Sequence, residues 1–426
     1  MKLVCTRSQL CGSVEIPGSK SHTIRAVAIA ALAPGESFIR QPLDSADTRA
    51  AVRAYQALGA YIDADRSDLW TVQGAGGQLR TPNNVIDVAN SGTTLRIALG
   101  SAALLREGVT VFTGDDQIRR RPAGPLAKSL TDLGAKVRST RGNGCAPLVA
   151  EGLLCGGETS IEAVTSQYLT SLLINTPLAE RDSAIHVTLL NEAPYVGITL
   201  DWLKRQGVVA EHDEAMKEFH VPGGQQYRPV DRRIPGDFSS ATFFLAAGAM
   251  GGNDIVSAGL DLGDTQGDKA VIDYLRQMNA QVEVTPEGVR VRPGALTGCE
   301  IDMNATPDAL PMMAVLGCFT KGTTRLVNVP QARLKETDRI AVMRTELEKM
   351  GAKIVELPDG LVIEESALHG AEVDGHDDHR VVMALAIAGT MIDGWTTIHG
   401  YEAVEVTFPG FVEALNRLGA KAYPIE

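Results

Sequence analysis

Cations, hydroxyls and carboxylates gather in this chain where helix patterns begin. The first such place is Pro17-Gly18-Ser19-Lys20-Ser21-His22-Thr23-Ile24-Arg25. A Pro-Gly turn closes the strand-like run Val14-Glu15-Ile16, and a helix-like run from Ile24 to Leu32 follows. Backbone N–H groups at a helix start, with the positive end of its dipole, suit an anion. Lys20 as a point charge and Arg25 as a fork would complete such a site. The Gly-x4-Gly-Lys-Ser/Thr spacing of a Walker loop is absent.

Asn90-Ser91-Gly92-Thr93-Thr94 is a second hydroxyl-rich turn at a helix start, able to cradle a carboxylate or phosphate. Arg119-Arg120-Arg121-Pro122 precedes another helix pattern, where one arginine could be fixed and face inward. Thr165-Ser166-Gln167-Tyr168 opens a helix with apolar residues at Leu169, Leu172 and Leu173. Its hydroxyls and amide can hold a phosphate and a sugar-like hydroxyl, or simply cap the helix.

In the second half, Gly236-Asp237-Phe238-Ser239-Ser240 begins a helix expected over Ala241 to Ala249. Pro307-Asp308-Ala309 sets one carboxylate in an otherwise apolar stretch, where partial desolvation would raise its proton affinity. Arg333-Leu334-Lys335-Glu336-Thr337-Asp338-Arg339 alternates charges at the head of the run Ile340 to Met350. It reads either as a salt-bridged turn or as an anion clamp, Lys335 and Arg339, around a general acid, Glu336. Asp377-Asp378-His379-Arg380 precedes the apolar helix Val381 to Ala388. His376 and His379 match no standard metal-ligand spacing, so no metal is expected.

These stretches are positioned by a repeated phrase: an amphipathic helix, then Leu/Met-Gly-Ala or a variant, then a β-branched run. It centres on Gly59, Gly134, Gly207, Asn279, Gly351 and Gly419. Gly, or failing that Asn, is what a left-handed helix terminus needs. Six similar units therefore fill the chain, best read as three in each of two α/β domains. Gly142-Asn143-Gly144, Gly223-Gly224-Gln225 and Pro286-Glu287-Gly288 read as hairpin turns.

The composition, 44% hydrophobic and 22% charged over 426 residues, is that of a globular protein with more than one domain. A net charge of −12 argues against a nucleic-acid or membrane surface held by bulk charge. Six scattered cysteines without a Cys-x-x-Cys pair suggest reduced, cytoplasmic usage. No apolar run approaches membrane-spanning length.

With these stretches in order, the chain resembles the 5-enolpyruvylshikimate-3-phosphate synthase family. The carriers are Pro17-Gly18-Ser19-Lys20-Ser21, Asn90-Ser91-Gly92-Thr93, Arg121-Pro122, Ser166-Gln167, Gly236-Asp237-Phe238-Ser239-Ser240, Lys335-Glu336-Thr337-Asp338-Arg339 and Asp378-His379-Arg380. The resemblance implies an α/β fold of two similar domains, each of three βαβαββ units. Residues 1–16 and 236–426 would form the phosphoenolpyruvate and acid–base side, and 17–235 the shikimate 3-phosphate side, with the active site in the cleft between domains. The implied reaction moves the enolpyruvyl group of phosphoenolpyruvate to the 5-hydroxyl of shikimate 3-phosphate and releases phosphate. Asp308, Glu336 and Lys20 would do the catalysis. Lys20, Asn90, Gly92, Arg121, Gln167, Lys335, Arg339 and Arg380 would hold phosphoenolpyruvate. Lys20, Ser21, Arg25, Thr165, Ser166, Gln167, Tyr195, Asp308 and Lys335 would hold shikimate 3-phosphate. No cofactor is implied, and a monomer acting on small molecules is expected.

Two departures stand out. Family members often carry Ser before the Pro-Tyr pair, whereas this chain reads Asn191-Glu192-Ala193-Pro194-Tyr195. A carboxylate about 4 Å from a phosphate costs on the order of 4 kcal/mol per unit charge at an effective dielectric of 20. Either Glu192 points away, or the acceptor's anion sits differently. Val406 stands where many members place a phosphoenolpyruvate-facing Lys. The nearest rival is a sister enolpyruvyl transferase acting on UDP-N-acetylglucosamine. Its family places Cys, sometimes Asp, in the loop before Arg121; this loop, Asp115-Asp116-Gln117, has no Cys, so that Asp116 alone keeps the rival open. A non-catalytic anion-binding relative is the rival from another class.

Overall fold

The computed structural model describes residues 1–425. Among them are twelve α-helices: α1 Lys20–Leu32, α2 Ala46–Ala57, α3 Gly92–Ala102, α4 Gly124–Asp132, α5 Ser166–Asn175, α6 Ala193–Gln206, α7 Phe238–Gly248, α8 Val271–Gln277, α9 Leu310–Cys318, α10 Arg339–Lys349, α11 His379–Met391 and α12 Phe411–Arg417. They alternate in kind. The odd-numbered helices are buried almost all round, α7 and α9 along their whole lengths. A helix apolar on every side belongs inside a core. The even-numbered helices bury one face, as α4 does with Leu126, Ala127, Ser129 and Leu130.

Each even-numbered helix ends at one member of the repeated phrase. All six positions have left-handed backbone, from φ +66 at Asn279 to φ +111 at Gly134. The chain then turns into a strand. Six four-stranded sheets result, each with one parallel and two antiparallel pairings.

The chain divides into two compact units, Met1–Pro17 with Pro235–Glu426, and Gly18–Ile234. In the first, strand Lys2–Thr6 pairs antiparallel with Trp395–His399 and Lys421–Ile425, and Cys11–Glu15 pairs parallel with Asp254–Ala258. In the second, Asp231–Arg233 pairs parallel with Pro34–Arg40, which returns the end of the unit to its first sheet. Each unit has its own apolar core around its three odd-numbered helices.

Two sequence expectations are corrected. Gly223-Gly224-Gln225 is not a hairpin turn, because the strands on either side of it, Glu218–Val221 and Asp231–Arg233, lie in different sheets. Helices α1 and α7 start earlier than the apolar periodicity indicates, at Lys20 and Phe238. The polar residues before the periodic run are the helix's own first turn.

Candidate active site

The candidate residues gather at helix starts: Lys20, Ser21, Gly92, Ser166, Gln167 and Arg380 in the first turns of odd-numbered helices, and Tyr195 and Arg339 in those of α6 and α10. In the unit Gly18–Ile234, Lys20 is the first residue of α1, after Ser19 in extended backbone. Its ammonium is 3.1 Å from Asp47 Oδ2 on α2, and both side chains are largely buried. The Ser19 hydroxyl is buried with no hydrogen-bond partner among the described residues. A group of that kind, at a site expected to bind a polar ligand, is one the sequence reading missed.

Arg25 lies inside, against α5 and α6. It donates from Nε to Thr199 Oγ1 at 2.9 Å and from Nη1 to Ser21 O at 2.9 Å. Nη2 donates to Thr170 Oγ1 at 3.1 Å and to Tyr195 O at 2.9 Å. Burial pushes this guanidinium down to about 10, so it stays charged at neutral pH. These bonds take four of its five N–H groups, so its part is chiefly to tie Ser21 and Tyr195 together rather than to offer a fork.

At α3, Ser91 caps the helix and Gly92 is its first residue. A Cβ at Gly92 would stand 2.7 Å from Arg121 Cζ, and Arg96 is nearer still. Only glycine lets these guanidiniums lie against the helix start. Arg121 is the inward-facing member of its triplet, 7% exposed. Asn90 donates to Asp115 Oδ2 at 2.6 Å and Gln117 Oε1 at 2.5 Å, which orders the loop before Arg121. Asp116, the residue that keeps the rival transferase in view, points outward and pairs with exposed Arg119.

Thr165 caps α5, and Gln167 reaches across to Thr93 Oγ1 at 3.2 Å, joining the starts of α5 and α3. Glu192 does not point away. Its Oε2 accepts from Ser166 Oγ at 2.8 Å, Ser166 N at 3.1 Å and Thr165 Oγ1 at 3.2 Å.

In the other unit, the expectation of an apolar setting for Asp308 is overturned. Arg339 Nη1 donates to Asp308 Oδ1 at 2.7 Å, and Arg380 Nη2 to Oδ2 at 3.3 Å. Arg339, 1% exposed, also donates from Nε to Asp378 Oδ2 and from Nη2 to Glu336 Oε2, both at 2.8 Å. Burial alone would lower the Arg339 guanidinium, but Asp378, Glu336 and Asp308 override it and hold it well above its ordinary value. Asp378 is the cap of α11, accepting from Arg380 N at 2.8 Å, so one carboxylate fixes both arginines. Within the charged stretch, Arg333 pairs with Asp338 at 2.7 Å in a salt-bridged turn, while Glu336 and Arg339 pair with one another at 2.8 Å in the buried cluster. Lys335 is half-buried in extended backbone beside them.

His376 is taken up by an ion pair rather than a metal site. Its Nε2 is 2.9 Å from Glu346 Oε1, while Glu346 Oε2 accepts from Lys349 at 2.7 Å and from Asp374 N at 2.9 Å. Burial pushes the Glu346 carboxyl up, but His376, Lys349 and the Asp374 N–H more than offset it, leaving it at about 2. The bond to Glu346 raises His376 above its ordinary value. The signs are opposite. The Glu346 contribution is complete above about 4.5 and is lost as pH falls toward 2, whereas the His376 contribution is complete below about 6.5 and is lost as pH rises through its raised value. We predict that Glu346→Gln costs up to about 3 kcal/mol near pH 5–6 and progressively less toward pH 2. Urea unfolding of both proteins across pH checks this, and a difference independent of pH between 2 and 6 would refute it.

Solved structures share this architecture. EPSP synthase from Acinetobacter baumannii superimposes with a TM-score of 0.83 at 26% identity, over 99% of this chain and 100% of that one. The enolpyruvyl transferase NikO from Streptomyces tendae gives 0.77 at 20% identity, over 99% and 98%, a likeness of fold alone. The six-unit α/β chain thus has the fold of the enolpyruvyl transferases. A family model described as EPSP synthase (3-phosphoshikimate 1-carboxyvinyltransferase) matches residues 4–415. The 3-phosphoshikimate 1-carboxyvinyltransferase of Ruminiclostridium cellulolyticum is 54% identical over 99% of both chains, and that of Methanocella arvoryzae 46% identical over 98% of both. The chain belongs to the EPSP synthase family and is a transferase.

Proposed function

We infer that the chain transfers the enolpyruvyl group of phosphoenolpyruvate to the 5-hydroxyl of shikimate 3-phosphate and releases inorganic phosphate. Addition puts the acceptor oxygen on C2 of the enol and a proton on C3. Loss of phosphate from C2 and of a proton from C3 restores the double bond, so one enol ether and one phosphate form per phosphoenolpyruvate. The steps need a group to deliver and recover the C3 proton, a group to take the hydroxyl proton, and cations for the clustered anions.

The observation that carries this reading is the shared guanidinium of Arg339, which fixes Asp308 and Glu336 at 2.7 and 2.8 Å. Two carboxylates so held can act on one substrate with little reorganisation. Glu336 and Asp308 exchange the protons, with Lys20 sharing the work. Lys20, Arg121, Lys335, Arg339 and Arg380, with the α3 N–H groups at Gly92, bind phosphoenolpyruvate; Asn90 acts by ordering the loop of Arg121. Ser21, Arg25, Thr165, Ser166, Gln167 and Tyr195 bind shikimate 3-phosphate. Helix starts and cations at these positions favour anions for the same electrostatic reason.

The working unit in this reading is the single chain, acting on small molecules. Six unpaired cysteines fit a reducing cytoplasm, and no helix of the described residues is long and apolar enough to cross a membrane. The test is stoichiometry: product analysis should find one enol ether and one phosphate for each phosphoenolpyruvate consumed. Phosphate without the ether would mean simple hydrolysis.

Gly92→Ala probes the anion end. The added Cβ, 2.7 Å from Arg121 Cζ, must push that guanidinium away. Losing a charge-assisted hydrogen bond to phosphoenolpyruvate should raise its KM by about tenfold or more. A KM within about twofold of wild type would show that Arg121 needs no such approach.

A further inference from the structure

Glu192 places a negative charge where the proposed function needs donors for one. Its side chain is buried, and its Oε2 takes the hydroxyls of Thr165 and Ser166 together with the Ser166 N–H. A phosphate oxygen bonded to the same three donors would lie where Oε2 lies. The two anions therefore exclude one another, and side by side they would repel.

The backbone supplies an independent observation. Glu192 is left-handed, φ +59 and ψ +38, immediately before α6. A non-glycine residue holds this conformation at an energetic cost and keeps it only where its surroundings fix it. Its three hydrogen bonds help to do so. Release of the carboxylate also frees the backbone to relax, which favours two discrete positions over a continuous slide.

We propose that Glu192 is a resident counter-anion of the acceptor site: its carboxylate competes with the acceptor's phosphate for Thr165 and Ser166 and swings out when that phosphate binds. The inference rests on reading those two residues as phosphate ligands. Its consequence is specificity. A small anion held by these donors alone gains too little to displace Glu192, whereas an acceptor with further contacts to Ser21, Gln167 and Lys20 displaces it.

Glu192→Gly tests this, because glycine keeps the left-handed backbone without strain and removes the carboxylate. Inorganic phosphate binding is measured by calorimetry on wild type, Glu192→Gly and Glu192→Gln, and KM for both substrates is measured alongside. The glycine variant should bind inorganic phosphate at least about tenfold more tightly than wild type, the usual weight of a charge-assisted competitor. KM for shikimate 3-phosphate should fall with it, and KM for phosphoenolpyruvate should change less. Phosphate affinity equal to or below that of wild type overturns the proposal, even if turnover is normal. Tighter phosphate binding without turnover of shikimate 3-phosphate in any of the proteins would uphold it and overturn the assigned reaction instead. If the glycine variant does not fold, the neutral Glu192→Gln carries the same comparison.

Discussion

Replacing Glu336 by Gln is expected to lower kcat by about 10²–10⁴, the usual size of a general acid–base contribution. The substitution is close to isosteric. Glu336 accepts from Arg339 Nη2 at 2.8 Å, and a glutamine carbonyl oxygen can still accept there, so the cluster loses a titrating group but not its geometry. The side chain is 7% exposed, so water cannot easily substitute as the proton carrier. Steady-state phosphate release gives kcat, and thermal unfolding should show Tm nearly unchanged. Turnover at the wild-type rate would remove Glu336 from the chemistry. Comparison with Asp308→Asn then separates the two carboxylates, since Asp308 is held by Arg380 as well as Arg339.

Replacing Arg339 by Met should cost about 3–5 kcal/mol of stability, the loss typical when one partner of a buried ion pair is removed. One guanidinium serves three carboxylates: Asp378, 0% exposed, Glu336 and Asp308. Methionine fills most of the volume but leaves those charges facing one another in low dielectric. Lysine should recover only part of the loss, because one ammonium cannot present a planar fork to carboxylates on three sides. Urea unfolding at neutral pH measures the cost, which should shrink in acid as the carboxylates become neutral. A loss under about 1 kcal/mol would mean that other groups already balance the cluster.

What the sequence revealed and what it hid follow from the range of the interactions. The helix–Gly–strand phrase was readable because a left-handed terminus is a demand of one residue on its own backbone, and even Asn279 satisfies it. The helix starts at Ser91 and Thr165 were readable for the same reason, since each caps the backbone that follows it, whereas α7 and α11 begin ahead of their apolar periodicity, directly after the caps Asp237 and Asp378. The setting of Asp308 was hidden, because its partners Arg339 and Arg380 lie 31 and 72 residues away. No local pattern foretold Asp47 beside Lys20, or Thr93 under Gln167. Glu192 was visible as an anomaly, but its direction depends on how α5 and α6 pack.

The measurement that tests the central claim most directly is phosphate release from phosphoenolpyruvate with three acceptors in parallel: shikimate 3-phosphate, unphosphorylated shikimate and UDP-N-acetylglucosamine. Turnover is expected with shikimate 3-phosphate and none above background with UDP-N-acetylglucosamine. Unphosphorylated shikimate should be a far poorer acceptor, having no phosphate to set against Glu192. Turnover with UDP-N-acetylglucosamine and none with shikimate 3-phosphate would contradict the assigned reaction, and would make Glu192 the mark of a different acceptor.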